Sequence, residues 1–266
     1  MSPLMGESII NGAWVLPALL ALVGLVVGAY GTLIGVGGAL VLVPLLLLLY
    51  PHATPQAITA ISLVIVLVNS VGGTIAYARQ KRVDYRNGLI FAFGTVPGVL
   101  LGIWTLQYVS RNLFALIFGI VMIAISAFLI IRAEPANTAK SVNGHYSCNR
   151  PLGFTLSMVA GYLAGLLGIG GGIIHVPVMV YIMCFPTHVA TATSHFILIF
   201  TGATGTLTHL GQGTFGSDWS VIIWLALGVV LGSQIGARLS KRVHGNVLIR
   251  LLAVALAITG LRLVLG

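Results

Sequence analysis

Charge is what this chain of 266 residues has least of: 13 basic and 4 acidic side chains make up 6% of it, against roughly a quarter in soluble domains. That dearth excludes a soluble globular domain, which needs a charged surface. Cysteine is almost as scarce. Cys148 and Cys184 are too few and too far apart for a disulfide framework or a metal cluster. The four carboxylates, Glu7, Asp84, Glu134 and Asp218, fall at a terminus, in the linker or at helix starts, and Asp84 and Asp218 read as N-caps. With no carboxylate in mid-span, a cation substrate or a carboxylate proton relay has no counter-charge, which favours an anion. No nucleotide-binding signature is present, so any transport would draw on an ion gradient or the membrane potential. The first twelve residues carry Glu7 and no Lys or Arg, unlike the basic start of a signal peptide, so the first apolar segment is expected to be retained. The formal net charge of +9 would suit nucleic acid, but the basic residues sit at the ends of apolar runs, where they orient a membrane protein. Nucleic acid is therefore not an expected partner; the lipid bilayer is.

Apolar residues make up 58% of the chain. Runs such as 89–108 and 113–131 contain no charged residue and match the ~20 residues a helix needs to cross ~30 Å of hydrocarbon. Ten helical segments are expected, at 13–34, 38–50, 55–79, 85–108, 112–131, 152–168, 172–185, 188–209, 218–239 and 246–265. The polar stretch around 132–150 reads as a solvated linker. Residues 1–133 form a first membrane repeat, 134–150 the linker and 151–266 a second repeat of one integrated unit.

The repeat is written in matched residues. Gly35-Val36-Gly37-Gly38 with Val43-Pro44 recurs as Gly168-Ile169-Gly170-Gly171-Gly172 with Val176-Pro177, 133 residues on. Thr59 and Ser62 match Thr191 and Ser194 at a spacing of 132. Asp84, Gly94, Gly98, Gly102 and Asn112 match Asp218, Gly228, Gly232, Gly236 and Asn246 at 134. An ordered series of this kind is an internal duplication. Glycine inside a helix costs about 1 kcal/mol relative to alanine, so each cluster should break its helix. At membrane depth a break survives only against protein or a water-filled cavity.

Charge distinguishes the two copies. Arg79, Lys81, Arg82 and Arg86 flank the third connection of the first copy, whereas 209–218 has no Lys or Arg; one connection later Arg111 stands alone against Arg238, Lys241 and Arg242. The positive-inside rule then makes the 79–86 loop, the linker and the 238–244 loop cytoplasmic. An odd number of crossings per half results, giving an inverted repeat with both termini outside; a parallel repeat would put an uncharged loop in the cytoplasm. Inverted repeats place substrate near the midplane, where discontinuous helices meet. The expected fold is thus an all-α integral membrane protein of two inverted five-segment halves, with short second and seventh segments stopping near the midplane.

Several side chains suit a binding site there. Thr59 with Ser62, and Thr191 with Ser194, each share a helix face at the start of a segment, beside free amides and the positive end of a helix dipole. Such hydroxyls either hold an oxyanion or cap and back-bond their own helices. Asn69 and Thr201, 132 residues apart, lie two turns farther along the same face and either extend the site or join helices. His175 and His195 lie deep in their segments and match Leu42 and Leu63, which argues against a symmetric proton relay. A metal site from His175, His195 and His209 lacks ligand spacing and a nearby acid, and no metal, cofactor or catalytic residue is expected. Pro97 reads as a tolerated kink, and Arg250 and Arg262 as snorkelling side chains.

The paired Gly-[Ile/Val]-Gly-Gly with Val-Pro, the Thr-x-x-Ser signatures and the duplicated membrane chain resemble the TauE/SafE family of sulfite and organosulfonate exporters. That resemblance spans nearly the whole chain. It implies a bacterial cytoplasmic-membrane carrier, multi-pass and not an enzyme, that exports sulfite or an organosulfonate such as sulfoacetate by alternating access. Carried over by position, the binding residues are Gly35, Gly37, Gly38, Thr59, Ser62, Gly168, Gly170, Gly171, Gly172, Thr191 and Ser194; Asn69, His195 and Thr201 are added from their placement. An importer of sulfate or thiosulfate, or an anion channel, remains the alternative, and a coupling proton and a homodimer are the partners left open.

Overall fold

A computed structural model describes residues 15–131, 150–215, 219–243 and 245–265. Those residues form helices α1 (Val15–Ile34), α2 (Ala39–Leu49), α3 (Pro55–Ala78), α4 (Tyr85–Leu106) and α5 (Arg111–Ile131), then α6 (Arg150–Leu167), α7 (Gly172–Pro177), α8 (Thr187–Gly211), α9 (Trp219–Leu239) and α10 (Gly245–Leu265). The boundaries obey local chemistry. Thr54 caps α3, accepting from the Ala57 amide at 3.3 Å ahead of Pro55 at the first helical turn. Asp84 caps α4, accepting from the Asn87 amide at 3.1 Å; Asp218 and the linker lie outside the described residues.

Among the described residues five helices, α1, α3, α4, α5 and α9, are long and apolar enough to cross a membrane. α2 has 11 residues, about 16 Å at ~1.5 Å per residue, so it covers about half the hydrocarbon thickness. Its counterpart α7 stays α-helical only through Pro177 and gives way to a π-helical turn, Val178–Ile182. The prolines match, but the residues after them do not. Leucines after Pro44 are good helix formers, whereas Val178, Val180 and Ile182 are β-branched and crowd an α-turn.

The duplicated sequence is matched by reciprocal packing. α1 lies along α9 and α6 along α4, so the first helix of each half packs on the fourth helix of the other. Glycine makes those contacts close. Gly94, Gly98 and Gly102 of α4 lie against Phe154, Met158, Tyr162 and Leu166, and Gly228, Gly232 and Gly236 of α9 against Ala21, Leu25 and Ala29. A side chain at any of the six would meet backbone of the facing helix, which is the small-residue logic of close helix packing in lipid. α3 pairs with its own counterpart α8 and α5 with α10. Gly205 sits against Leu63, Gly202 against Leu67 and Gly73 against His195, so α3 and α8 run antiparallel. These two helices form the centre, and both glycine clusters rest on them.

Candidate functional site

The glycine clusters are sharp turns. Gly35, Gly37 and Gly38 have φ of 86°, 82° and 87°, and Gly168, Gly170 and Gly171 have 72°, 71° and 85°. Any other L-residue in this left-handed region costs roughly 1–2 kcal/mol, so the motif and the break are one fact. In the first turn the Gly31 carbonyl takes the amides of Gly35, Val36 and Gly37 at 3.0, 2.9 and 3.3 Å. The amides of Gly38, Ala39 and Leu40 then have no backbone acceptor among the described residues, and neither do those of 169–171 in the second turn. The turns touch. A Cβ on Gly172 would stand 2.6 Å from the Gly35 carbonyl oxygen and 2.8 Å from Val36 Cα. Val66 and Leu198, themselves matched at a spacing of 132, both lie against Gly37 and Gly170.

The serines clamp the turns across the duplication. Ser62 Oγ donates to the Gly168 carbonyl at 2.7 Å, and Ser194 Oγ donates to the Gly35 carbonyl at 2.8 Å. Each half therefore fixes the turn of the other. The threonines differ from each other. Thr191 Oγ1 donates back to the Thr187 carbonyl of its own helix at 2.8 Å, while Thr59 Oγ1, fully buried beside the Gly168 turn, has no hydrogen-bond partner.

Asn69 and Thr201 each reach a neighbouring helix. Asn69 Oδ1 accepts from Thr32 Oγ1 at 2.9 Å, leaving its buried Nδ2 without a partner. Thr201 Oγ1 meets Thr95 Oγ1 on α4 at 3.3 Å and its own Ile197 carbonyl at 3.4 Å. The two deep histidines part company here. His175 Nδ1 faces the Gly171 carbonyl at the start of its own helix at 2.9 Å and its Nε2 faces Ser157 Oγ of α6 at 3.2 Å, so both ring nitrogens are used, one of them in holding α7 to α6. His195 Nδ1 faces the Thr191 carbonyl at 3.3 Å, but its Nε2 is buried without a partner. A carbonyl only accepts, so Nδ1 carries the hydrogen and Nε2 is the bare atom of the neutral ring.

Thr32, Gly73 and Tyr77 surround His195 and were not marked by sequence reasoning. Tyr77 stands edge-on to the His195 ring at 5.6 Å between centroids, and its hydroxyl donates to the Thr32 carbonyl at 2.6 Å. A sequence signal existed: Gly73 and Tyr77 continue the i, i+4 row that starts at Asn69. α1, α2, α3, α7 and α8, which build the region, contain no Asp, Glu, Lys or Arg. The polar groups of this region are neutral side chains and backbone dipoles. Among the described residues no three His, Cys, Asp or Glu side chains are grouped.

Comparison with known proteins points one way. Residues 20–263 match the family model described as Sulfite exporter TauE/SafE. The chain is similar to the probable membrane transporter protein YunE of Bacillus subtilis, at 32% identity over 92% of this chain and 96% of that protein. A probable membrane transporter protein of Xylella fastidiosa is 30% identical over 84% of each chain. Another from Bacillus subtilis, YjnA, is 28% identical over 91% of this chain and 98% of its own. No solved structure matches.

Proposed function

The chain belongs to the sulfite exporter TauE/SafE family, and on that premise we propose that this multi-pass membrane protein is a secondary transporter that carries a small sulfur oxyanion out of the cell. The observation that carries the reading is the contact between the two glycine turns, with a serine of the opposite half bonded to each. Amides at 38–40 and 169–171 and the Thr59 hydroxyl, which lacks a partner, supply hydrogen-bond donors at that junction without any formal charge. Neutral donors bind an anion firmly enough to desolvate it and weakly enough to release it, the balance any conducting or carrying site must strike.

The antiparallel pairing of α3 with its own copy α8 supports halves inverted across the bilayer, with 1–133 and 151–266 as the two repeats and the 134–150 linker in the cytoplasm. Rocking of the halves about the shared turns would expose the junction to either side. An inside-negative potential favours anion efflux by about 2.3 kcal/mol per charge per 100 mV. The membrane is then the bacterial cytoplasmic membrane and the substrate sulfite or an organosulfonate such as sulfoacetate. Binding calorimetry on purified protein with sulfite, sulfoacetate, taurine and chloride tests this. Heat with a sulfur oxyanion and none with chloride is the expected result; no heat from any sulfur oxyanion removes the substrate assignment.

A further inference from the structure

The two halves match in backbone but not in polarity at one place. On the flank of the first glycine turn, Thr32, Asn69, Gly73, Tyr77 and His195 form a buried polar group in which Asn69 Nδ2 and His195 Nε2 both lack a partner. The mirror positions carry Gly165, Thr201, Gly205, His209 and Leu63. There the ring is replaced by Leu63, which lies against Gly205 and clusters with Val99, Ile103 and Ala164. Packing geometry is thus retained: Gly73 makes room for the His195 ring as Gly205 makes room for Leu63. Sterics therefore do not call for a histidine, since leucine fills the same slot in the other half. Burying the Nε2 of His195 without a partner is unfavourable, and leucine at this slot avoids that.

The chemistry of the two orphan atoms changes with one proton. With Nδ1–H committed to the Thr191 carbonyl, neutral His195 offers a bare Nε2 acceptor against Gly73, one helical turn beyond Asn69 with its Nδ2 donor, and Thr32 touches both Gly73 and Asn69. Protonated His195 offers Nε2–H instead. Two donors, one of them charged, then belong to one buried group around Thr32 and Gly73, next to the Gly35 turn to which the adjacent Ser194 is bonded. That pair suits an oxyanion. No Asp, Glu, Lys or Arg lies on α1, α3 or α8, while α4, packed on α8, brings Asp84 and Arg86 at its start and α9, packed on α3, brings Arg238 in its last turn. Tyr77 is the titratable side chain facing the ring, with Arg82 beyond it just past the end of α3. Asp84 meets α8 at Thr193, which points about 200° around the helix from His195, so an anion from outside the protein is the counter-charge this side of α8 has room to accept.

We propose that the Asn69–His195 pair takes up a small oxyanion together with one proton, which makes transport proton-coupled through a site present in only one of the two halves. This rests on the transporter reading above, and names the coupling residue of that site. The test is the titration of the His195 ring, followed by NMR in protein labelled at histidine, without anion and with each of sulfite, sulfoacetate, sulfate, thiosulfate, chloride and acetate. His195→Gln assigns the signal. The expected result is that a transported anion raises the proton affinity of His195 about tenfold, a usual size for coupling between sites, and that Asn69→Leu removes most of this shift while the ring still titrates. A titration unmoved by every anion overturns the proposal, as does a shift that Asn69→Leu leaves intact. A shift with acetate or chloride and with no sulfur oxyanion would support the proton coupling and sink the substrate assignment. Binding heat with sulfite and no shift would do the reverse.

Discussion

Ser62 donates its hydroxyl hydrogen to the carbonyl of Gly168 at 2.7 Å, across 106 residues and from one half of the duplication to the other. Ser194 repeats the bond onto Gly35 at 2.8 Å. The carbonyls at these positive-φ glycines have left the helical ladder, so each would be a buried acceptor without its serine. Ser62→Ala and Ser194→Ala should each lower stability by about 1–3 kcal/mol and by similar amounts, read as thermal denaturation in detergent. Thr191→Ala, which removes a bond within one helix, should cost less than either. A Thr191 variant as damaged as the serine variants would argue against the cross-half clamp.

The two turns are equivalent in backbone but not in the space around them. A Cβ at Gly170 would stand 2.6 Å from Val66 Cγ1, whereas at Gly37 the same neighbour is 3.3 Å away. Both sites carry the left-handed cost of roughly 1–2 kcal/mol. Gly170→Ala should therefore impair folding and transport more than Gly37→Ala, measured as yield of monodisperse protein and as anion uptake into vesicles.

The glycine stripes make a sharper contrast. Gly98 and Gly232 each face backbone of the opposing helix, while a Cβ at Gly211 would meet nothing within 4 Å. Gly98→Leu and Gly232→Leu should pry the halves apart and abolish folded protein; Gly211→Ala should be neutral. Size-exclusion profiles of the three variants check this.

Asp84 joins the start of α4 to α8: its carboxylate accepts from the Asn87 amide at 3.1 Å, and its own amide donates to Thr193 Oγ1 at 3.0 Å. Asp84→Ala should cost about 1 kcal/mol, and Asp84→Asn should recover most of it, since asparagine caps nearly as well. Equal melting temperatures for the two variants would show that charge, not capping, matters there.

The proposed inversion of the halves predicts opposite sides for matched loops. Lys81 comes after α3 and Gly213 after α8. In a background lacking Cys148 and Cys184, Lys81→Cys should react with an impermeant thiol reagent only from the cytoplasmic side and Gly213→Cys only from the other. Labelling of both from one side would mean a parallel repeat.

Much of this architecture is legible in the chain itself. Length of apolar runs, Asp84 at a helix start and glycine clusters that no helix tolerates are local signals, and they suffice for all ten segments with their short second and seventh members. The duplication is legible because both copies kept the residues that a turn or a close helix contact demands. The acceptor of each hydroxyl is not legible, because Ser62 and Ser194 find theirs in the opposite half and sequence spacing reports only neighbours on one helix. The π-turn after Pro177 is hidden for a similar reason, since Pro44 with the same local rule keeps its helix. His195 is visible as an ionisable residue at depth, but Tyr77 and Thr32 beside it come from packing across α1 and α3.

The most direct test of the central claim is counterflow in vesicles containing the purified protein. Vesicles preloaded with unlabelled sulfite or sulfoacetate should accumulate the labelled anion transiently above its external level, and Ser62→Ala with Ser194→Ala should abolish that overshoot. Uptake that only equilibrates, with no dependence on anion inside, would mean a channel and would contradict a carrier built on two meeting turns.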